Sequence, residues 1–437
     1  MTTTPLLTRY FDRLESLTGY RWRGRVNHVA GQLVESQGPF GSFGDSCEIV
    51  SSSGEVLAGQ IIGFRDSTVL VMTFDPPERI RFGDQVISWG ARPQVRVGDA
   101  LVGRVLNAFG EPIDSKGALA LLDARDLESP APPPFERELI REALGSGIRA
   151  IDGFLACGQG QRLGIFGGSG VGKSTLLGMM VRNAHADVTV LALIGERGRE
   201  VREFLEHSLG EAGLQKSVVI VSTSDQSPLM RVRGAFAATA IAEHFAGQGK
   251  RVLLFVDSLT RLAMAQREIG LAGGEPPTSK GYTPSVVAML ARLIERAGKF
   301  RTGSITGFYT VLMEGDDEHD PIVDSARALL DGHIMLDRKL ATQNHYPPIS
   351  ILDSVSRLMP AVCSPQHLQK ASALRGFLAA YRASEDLVRI GAYQKGNDAE
   401  LDTALTLLPA LGAFLRQKPD ESASFEQTCA QLLALGA

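Results

Sequence analysis

Apolar residues near the N-terminus recur at the spacing of an amphipathic helix. Over the first 20 residues they fall three and four positions apart, as in Leu7, Phe11 and Leu14, which places them on one helical face. The pattern predicts a short amphipathic helix over residues 1–20. Two interpretations stay open: this helix packs on its own domain, or it docks onto a partner or a membrane surface.

Between residues 21 and 95 the pattern changes to short runs of β-favouring residues separated by Gly, Pro and Ser turns. Such runs with regular turn signals are typical of a small all-β barrel or sandwich. We predict a β-barrel domain over residues 21–95. Its expected strands are Gly24–Val29, Cys47–Val50, Val56–Phe64, Thr68–Phe74 and Gln85–Trp89.

After Ile148, apolar strand-like runs alternate with helical stretches. This is the pattern of a largely parallel sheet covered by helices on both faces, so we predict an α/β domain over residues 96–360. The expected strands are Arg162–Phe166, Val188–Ile194, Ser217–Val221 and Arg251–Val256. Beyond Pro360 the strand signal fades. Helical runs at Leu368–Ala380 and Leu401–Leu415 predict a helical domain over residues 361–437.

Composition narrows the class of protein. The 437 residues carry a net charge of −4, which gives no electrostatic reason to expect a nucleic-acid partner, although local basic patches stay open. The four cysteines are far apart in sequence and form no CxxC pair, which argues against a metal cluster or a disulfide framework. No apolar run approaches the roughly 20 residues that span a bilayer. We expect a cytoplasmic protein, and peripheral membrane contact is compatible with the sequence.

A glycine-rich segment follows the first strand of the α/β domain. It fits the phosphate-binding pattern G-x-x-x-x-G-K-[ST] and opens a helix, which is the context that the pattern requires. Glycines let backbone N–H groups curl around phosphate oxygens, and the helix N-terminus favours negative charge. We therefore predict an ATP site with Mg²⁺, in which Lys173 reaches the β- and γ-phosphates and the Ser174 hydroxyl binds the metal. The predicted nucleotide-binding residues of the loop are Gly167, Gly168, Ser169, Gly170, Val171, Gly172, Lys173, Ser174 and Thr175.

Two acidic residues end later strands of the same domain. Asp257 closes the run RVLLFVD and could orient Mg²⁺; the alternative is a helix N-cap, since a helix begins just after it. Glu196 follows Ile194-Gly195 and could hold the attacking water near the γ-phosphate. The alternative for Glu196 is a surface carboxylate paired with a nearby arginine, and both interpretations stay open.

Several ordered motifs carry a family resemblance. The loop GGSGVGKS, the segment GERGRE after a strand, and DSVSRLM at Asp353–Met359 together resemble the catalytic subunits of rotary ATP synthases. The resemblance extends over residues 20–400 and implies a RecA-like nucleotide domain between a β-barrel and a helical domain. The segments PPTSKGYTPSV and EGDDEHDPIVDSARALLDGHI are similar to those of type III protein export ATPases, specifically the flagellar ones.

The resemblance implies roles for further residues. Glu196 matches the catalytic carboxylate, which non-catalytic synthase subunits lack, and Arg197 beside it is expected to support the γ-phosphate region. Arg261 matches an arginine near the γ-phosphate. Tyr346 matches the aromatic residue that stacks on adenine. Arg357 matches an arginine finger supplied across a subunit boundary.

Tyr346 and Arg357 each have a simpler alternative role. Tyr346 precedes two prolines and could be a turn residue packed on the core. Arg357 could form an ion pair with Asp353 in its own chain.

The resemblance also implies an assembly and a biological role. One chain carries both Glu196 and Arg357, so a homohexameric ring could complete a site at every interface. Implied partners are a stator-like regulator at the N-terminal helix, a central stalk protein, a membrane export gate, and export substrates with their chaperones. No specific nucleic acid is expected. The implied location is the cytoplasm, peripherally at the inner-membrane export apparatus.

The flagellar export ATPase has three alternatives. An injectisome ATPase of virulence secretion would be the same enzyme with other partners. A Rho-type hexameric RNA translocase would carry a basic, aromatic N-terminal domain, and Trp22–Trp89 is not notably basic. A non-catalytic regulatory subunit is disfavoured by Glu196.

The N-terminal helix gives the first testable prediction. If this helix is a docking element, deleting Met1–Leu17 leaves a folded protein whose binding to partners or lipid vesicles is altered. Thermal unfolding and vesicle co-sedimentation measure the two effects. A cooperative loss of thermal stability on deletion would instead show that the helix packs on its own domain.

Overall fold

The computed structural model describes residues 22–436, apart from Trp89, Glu314, Asp316 and Glu318. The predicted helix over residues 1–20 lies outside the described residues. Within them the chain forms an N-terminal β-barrel, a central α/β domain and a C-terminal group of helices. The predicted fold class is therefore confirmed. The residue limits that we give for the domains stay a prediction.

The N-terminal domain is a closed antiparallel barrel with the strand order β1-β2-β5-β4-β3-β6. Alternate residues of its strands, such as Val34, Ile49 and Ile61, point inward and are fully buried, as the period of two in a β-strand requires. Strand β2 is not among the strands predicted from the sequence, because only two of its five residues are apolar. The strands are β1 Trp22–Ala30, β2 Leu33–Gln37, β3 Ser46–Val50, β4 Val56–Arg65, β5 Thr68–Thr73 and β6 Gln85–Ser88.

Short elements connect the barrel to the central domain. Strands β7 (Gln94–Val97) and β9 (Asp123–Asp126) form a two-stranded antiparallel sheet, as do β10 (Ala143–Leu144) and β11 (Cys157–Gly158). The barrel itself packs on the central domain through apolar side chains from both, including Met72 of β5.

The central domain is built on one large sheet with the strand order β19-β18-β12-β17-β15-β13-β14-β8 and with β16 paired to β17. Its neighbouring strands run parallel, except for the β18–β19 and β16–β17 pairs. The strands are β8 Arg104–Leu106, β12 Arg162–Gly167, β13 Val188–Glu196, β14 Ser217–Thr223, β15 Arg251–Asp257, β16 Gly298–Lys299, β17 Ser304–Leu312, β18 Gly332–Leu336 and β19 Ile349–Ser356.

Helices cover both faces of this sheet, so its central strands are almost continuously buried, as in β13 and β15; this is why they read as apolar runs in the sequence. A π-helical turn, Phe204–Leu209, lies between α3 and α4. The helices of the domain are α1 Arg149–Phe154, α2 Lys173–Asn183, α3 Gly198–Glu203, α4 Gly210–Leu214, α5 Pro228–Gly247, α6 Leu259–Ala272, α7 Pro284–Ile294, α8 Pro321–Leu329, α9 Arg338–Thr342 and α10 Met359–Val362.

The C-terminal domain contains helices α11 (Pro365–Arg389), α12 (Ala399–Leu415) and α13 (Phe425–Ala434). The residue just before each helix caps it, because its side chain accepts a backbone N–H of the first turn. Before α13, Ser424 forms a complete capping box with Gln427. Helix α13 packs on α1, so this domain shares its core with the central domain. In the described part of the chain no helix is both long and apolar enough to cross a membrane.

A buried ion pair ties α5 to the end of α7. The Arg296 side chain is 1% exposed and donates from Nε and Nη2 to the two carboxylate oxygens of Glu243, at 2.6 and 2.7 Å. Its Nη1 donates to the carbonyl of Leu127, which anchors the segment after β9.

We expect Arg296→Ala to lower the free energy of unfolding by about 3 kcal/mol, the lower end of the range for breaking a buried pair, because Glu243 loses its close partner and keeps only the longer pair with Arg125 at 3.7 Å. Denaturant unfolding measures the change. The exposed pair Arg389–Glu385 is the control, and Arg389→Ala should cost less than about 1 kcal/mol. A change for Arg296→Ala as small as the one expected for Arg389→Ala would show that the buried pair is not structurally important.

Candidate active site

The glycine-rich loop joins β12 to α2 and is shaped by its backbone. Gly172, the N-cap of α2, has φ 96°, and Gly170 has φ 76°, values that strain any residue with a side chain. Val171 is 1% exposed and anchors the loop in the core, whereas Ser174 and Thr175 are exposed. The loop therefore presents the N-terminus of α2 to the surface, which suits an anion.

Strands β12, β13 and β15 all end at the same edge of the sheet because they run parallel. Ligands bind at this edge in open α/β sheets. A cavity of about 1020 Å³ opens there, lined by the glycine-rich loop and by Glu196, Asp257 and Arg261, among others. Its volume is large enough for a nucleotide.

Lys173 lies between two carboxylates in this cavity. Its Nζ is 2.6 Å from Oδ1 of Asp257 and 3.8 Å from Oε1 of Glu196. Asp257 is 4% exposed, and its Oδ1 also accepts a hydrogen bond from the Thr310 hydroxyl at 2.6 Å. Asp257 does not cap the following helix: the cap is Ser258, whose side chain accepts the N–H of Arg261. The N-cap alternative is therefore not realised.

Glu196 is buried beside two cations. Its side chain is 12% exposed, and its Oε2 is 3.4 Å from Nη2 of Arg261. Burial and the neighbouring Asp257 carboxylate raise the pKa of Glu196 to about 7, although Lys173 and Arg261 act in the opposite direction. A carboxylate with a pKa near neutrality suits proton transfer in water activation.

The arginines after Glu196 pair with other residues. Arg197 donates to Glu200 at 2.9 Å, and its side chain is 73% exposed. The next two arginines pair with Glu203 and Glu206. Glu196 therefore does not pair with these surface arginines. The Arg197 side chain is exposed to solvent and bonded to Glu200, which lines the cavity. Its expected support of the γ-phosphate region stays a prediction.

Arg261 is held next to Glu196 by Gly195. Its Nη1 donates to the Gly195 carbonyl. Gly195 has φ 71°, and a Cβ at this position would lie 3.0 Å from the Arg261 side chain. A glycine is therefore needed for the arginine to pack closely against the strand end.

Tyr346 lies against the glycine-rich loop. A Cβ added to Gly172 would be 3.4 Å from Cε1 of the Tyr346 ring. Tyr346 is 42% exposed, so its ring is not packed into the core. The exposed ring beside the loop is available to stack on a base.

Arg357 lies at the opposite edge of the sheet. It follows β19, which runs antiparallel to β18, and its N–H donates to the Asp331 carbonyl at 3.0 Å, just before β18 begins. The Arg357 side chain is exposed. Asp353 pairs with Arg382 at 2.9 Å instead, so the alternative ion pair with Arg357 is absent. With the length of the sheet between them, Arg357 and Lys173 cannot meet in one chain.

Three side chains around the site were missed by the sequence analysis. Besides Thr310, the Thr260 hydroxyl joins α6 to β17 by accepting the N–H of Leu312 at 2.8 Å. Arg338 donates from Nη2 to the Ser169 carbonyl of the glycine-rich loop at 3.3 Å. Arg338 closely follows β18 at the carboxyl edge of the sheet, and this position could have indicated it.

Comparison with known proteins agrees with this geometry. The chain matches three family models: the beta-barrel domain of the ATP synthase alpha/beta family over residues 26–90, the nucleotide-binding domain of the same family over residues 147–356, and the T3SS EscN ATPase C-terminal domain over residues 363–434. The flagellum-specific ATP synthase of Bacillus subtilis (strain 168) is 49% identical over 97% of both chains. The chain belongs to the ATP synthase alpha/beta family.

Other relatives place it among the export enzymes of that family. The flagellum-specific ATP synthase of Treponema pallidum (strain Nichols) is 50% identical over 98% of this chain and 96% of that protein. The type 3 secretion system ATPase of Xanthomonas euvesicatoria is 46% identical over 97% of both. The assembled ATPase EscN of enteropathogenic E. coli superposes with a TM-score of 0.90 at 43% identity, over 95% of this chain and all of that one.

These findings confirm the predicted family, fold class and ATPase activity. They also support the flagellar interpretation. Full-length similarity to export ATPases leaves the Rho-type RNA translocase without support.

The nucleotide site of this chain contains suitable oxygen ligands for Mg²⁺. Among the described residues no group of three or more His, Cys, Asp or Glu side chains could hold a metal by itself. In nucleotide sites, however, Mg²⁺ is bound by one or two protein oxygens together with phosphates and water. Ser174 and Asp257 both line the cavity, and their hydroxyl and carboxylate oxygens are of the kind that fits this role.

The pKa of Glu196 predicts a pH dependence. We expect kcat/KM for ATP to fall as the pH drops through about 7, because only the ionised carboxylate can accept a proton from water. The quantity kcat/KM is the suitable one since it reports the free enzyme. Glu206→Gln is the control, because Glu206 pairs with Arg202 on the surface and should leave the profile unchanged. A profile that stays flat down to pH 5 would exclude Glu196 as the base.

Proposed function

We propose that this chain hydrolyses Mg²⁺-ATP as a subunit of a homohexameric ring that energises type III protein export, most specifically of flagellar components. The observation that carries the proposal is the division of the site between two edges of one sheet. Lys173, Glu196 and Asp257 lie together at one edge, and Arg357 lies at the other with an exposed side chain.

In the proposed reaction Lys173 binds the β- and γ-phosphate oxygens. These oxygens compete with Asp257 and Glu196 for its charge. Backbone N–H groups of Gly170 and Gly172 and the N-terminus of α2 hold the same phosphates. Tyr346 stacks on adenine at the side of the loop.

The chemical step is the attack of water on the γ-phosphorus. Glu196 orients this water and accepts its proton, while the bond between the γ-phosphorus and the bridging oxygen breaks. The products are ADP and phosphate. Bound Mg²⁺, held by Ser174 and Asp257, would neutralise charge on the phosphate oxygens. Arg261 keeps the Glu196 carboxylate in place. Arg197 is the weaker candidate for a contact with the γ-phosphate, because its side chain is 73% exposed.

A further positive charge beside the γ-phosphate is proposed to come from the neighbouring subunit. Arg357 of one chain meets the γ-phosphate bound by the next, where an arginine finger contributes a factor of about 10³–10⁵ to the rate. Hydrolysis then depends on assembly. The relative EscN is known as an assembled ATPase and in complex with its central stalk EscO, which supports an oligomer with a stalk partner here.

The other proposed partners follow from the family resemblance. They are a stator-like regulator at the N-terminal helix, a membrane export gate, and export substrates with their chaperones. The proposed location is the cytoplasmic face of the inner-membrane export apparatus. Relatives named for type III secretion at 46% identity support an injectisome role as the second candidate. Restoring motility to a strain that lacks its flagellar ATPase would favour the flagellar role.

Mixing two inactive variants tests the shared site. Glu196→Gln lacks the water-orienting carboxylate, and Arg357→Ala lacks the finger, so each alone should be nearly inactive. After subunit exchange, some interfaces join an intact nucleotide site to an intact Arg357. About a quarter of wild-type activity should return in an equal mixture, because half of the nucleotide sites are intact and half of those face an intact finger.

The matched control mixes Glu196→Gln with Lys173→Ala. Both substitutions damage the nucleotide half of the site, so this mixture contains no complete site and should stay inactive. Energy transfer between labelled subunits verifies exchange in both mixtures. Exchange without recovery in the first mixture would reject the assignment of Arg357 to the neighbour's site.

A further inference from the structure

One buried amide joins the C-terminal domain to the base side of the nucleotide site. Gln417 lies between α12 and α13 and is 3% exposed. Its backbone N–H donates to the Tyr346 carbonyl at 2.9 Å. Tyr346 is the residue whose ring lies against Gly172 of the glycine-rich loop. The backbone of Gln417 therefore holds the backbone of the proposed base-stacking residue.

The side chain of Gln417 is fixed on its other side. Its Oε1 accepts the N–H of Arg149 at 2.9 Å, and its Nε2 donates to the carbonyls of Gly147 and Glu421 at 2.8 and 2.9 Å. Both N–H groups and the oxygen of the amide are thus used inside the protein. A buried amide with all of these bonds formed has one orientation, because each alternative would leave a polar group unpaired.

The segment around Gln417 is anchored to two helices of the nucleotide domain. Arg149 at the start of α1 donates from Nε to the Phe414 carbonyl at 2.8 Å and pairs with Glu421. Arg182 in α2, the helix that begins at the glycine-rich loop, donates to the Pro419 carbonyl at 2.7 Å. The loop helix and the Tyr346 segment are therefore both held by the same short connection.

We infer that Gln417 is a positioning residue for the nucleotide base: it sets the distance between the Tyr346 ring and the glycine-rich loop, and so determines the affinity for the nucleoside part of ATP. This inference rests on the proposed function. It assigns to a residue of the C-terminal domain a role that acts through Tyr346. The phosphate side of the site has its own anchors, because Val171 buries the glycine-rich loop in the core and Arg182 bonds to the Pro419 backbone and not to the Gln417 side chain.

Kinetics of Gln417→Met test the inference. Methionine keeps the length of the side chain and removes its three hydrogen bonds. KM for ATP should rise about tenfold, the size of a lost stacking contact, with kcat within twofold of wild type. The inhibition constant of tripolyphosphate, which has no base, should stay unchanged. Tyr346→Ala should raise KM similarly, and the double variant should be no worse than Tyr346→Ala.

Three results would overturn the inference: an unchanged KM, an inhibition constant of tripolyphosphate that rises as much as KM, or additive effects of the two substitutions. Gln60→Met in the barrel is the matched control, because Gln60 Nε2 also donates to a backbone carbonyl, that of Gly44, at 2.8 Å. This variant should retain the wild-type KM. If the wild-type chain did not hydrolyse Mg²⁺-ATP, the proposed function would be rejected. If the wild type were active and Gln417→Met had the same KM for ATP, only this inference would be rejected.

Hydrogen exchange in the wild-type protein tests the same point without a substitution. A non-hydrolysable ATP analogue, adenylyl imidodiphosphate, should slow exchange in the peptide over residues 414–421, because the stacked base holds Tyr346 and thereby the N–H of Gln417. Tripolyphosphate should not slow it. Equal protection by the two ligands, or protection by neither, would contradict the inference even if the variant failed to fold.

Discussion

The charge of Lys173 is shared by two carboxylates, Asp257 at 2.6 Å and Glu196 at 3.8 Å, and the rest of the site is arranged around that balance. Two acids brought close together in a poorly solvated cavity repel each other, and the lysine between them offsets that repulsion. Glu196 nevertheless keeps a raised pKa, because its loss of solvent and the neighbouring Asp257 carboxylate outweigh the opposite effect of Lys173. The site thus combines a cation ready for phosphate with a carboxylate able to take a proton.

The direction of the strands separates this site from Arg357. Parallel strands β12, β13 and β15 bring their last residues to one edge, whereas antiparallel β19 carries its last residues to the other. Arg357 and Lys173 of one chain therefore lie at opposite edges of the sheet. In the proposed ring, the two edges of successive copies would face each other, so that one sequence would supply both halves of each site. On that proposal, catalysis depends on assembly.

The C-terminal domain is joined to the nucleotide domain by polar bonds as well as by a shared core. Helix α13 packs on α1, and Gln417 and Arg149 connect the intervening segment to the backbone beside the site. Buried networks of this kind hold one geometry when every member is paired. A displacement of the C-terminal helices would consequently move Tyr346, while the glycine-rich loop is also held by its own strand and by Val171.

Features that depend on neighbours along the chain could be predicted from the amino-acid sequence. The glycine-rich loop, the strands that end in Glu196 and Asp257, and the long C-terminal helices follow from local periodicity, capping and turn chemistry, which are short-range effects. Which distant residues meet follows from the fold instead. Four features depend on strand order and packing: the contact of Lys173 with Asp257, the pairing of Asp353 with Arg382, the solvent exposure of Arg197 and the hydrogen bond from Gln417 to Tyr346. No local pattern in the sequence encodes these contacts.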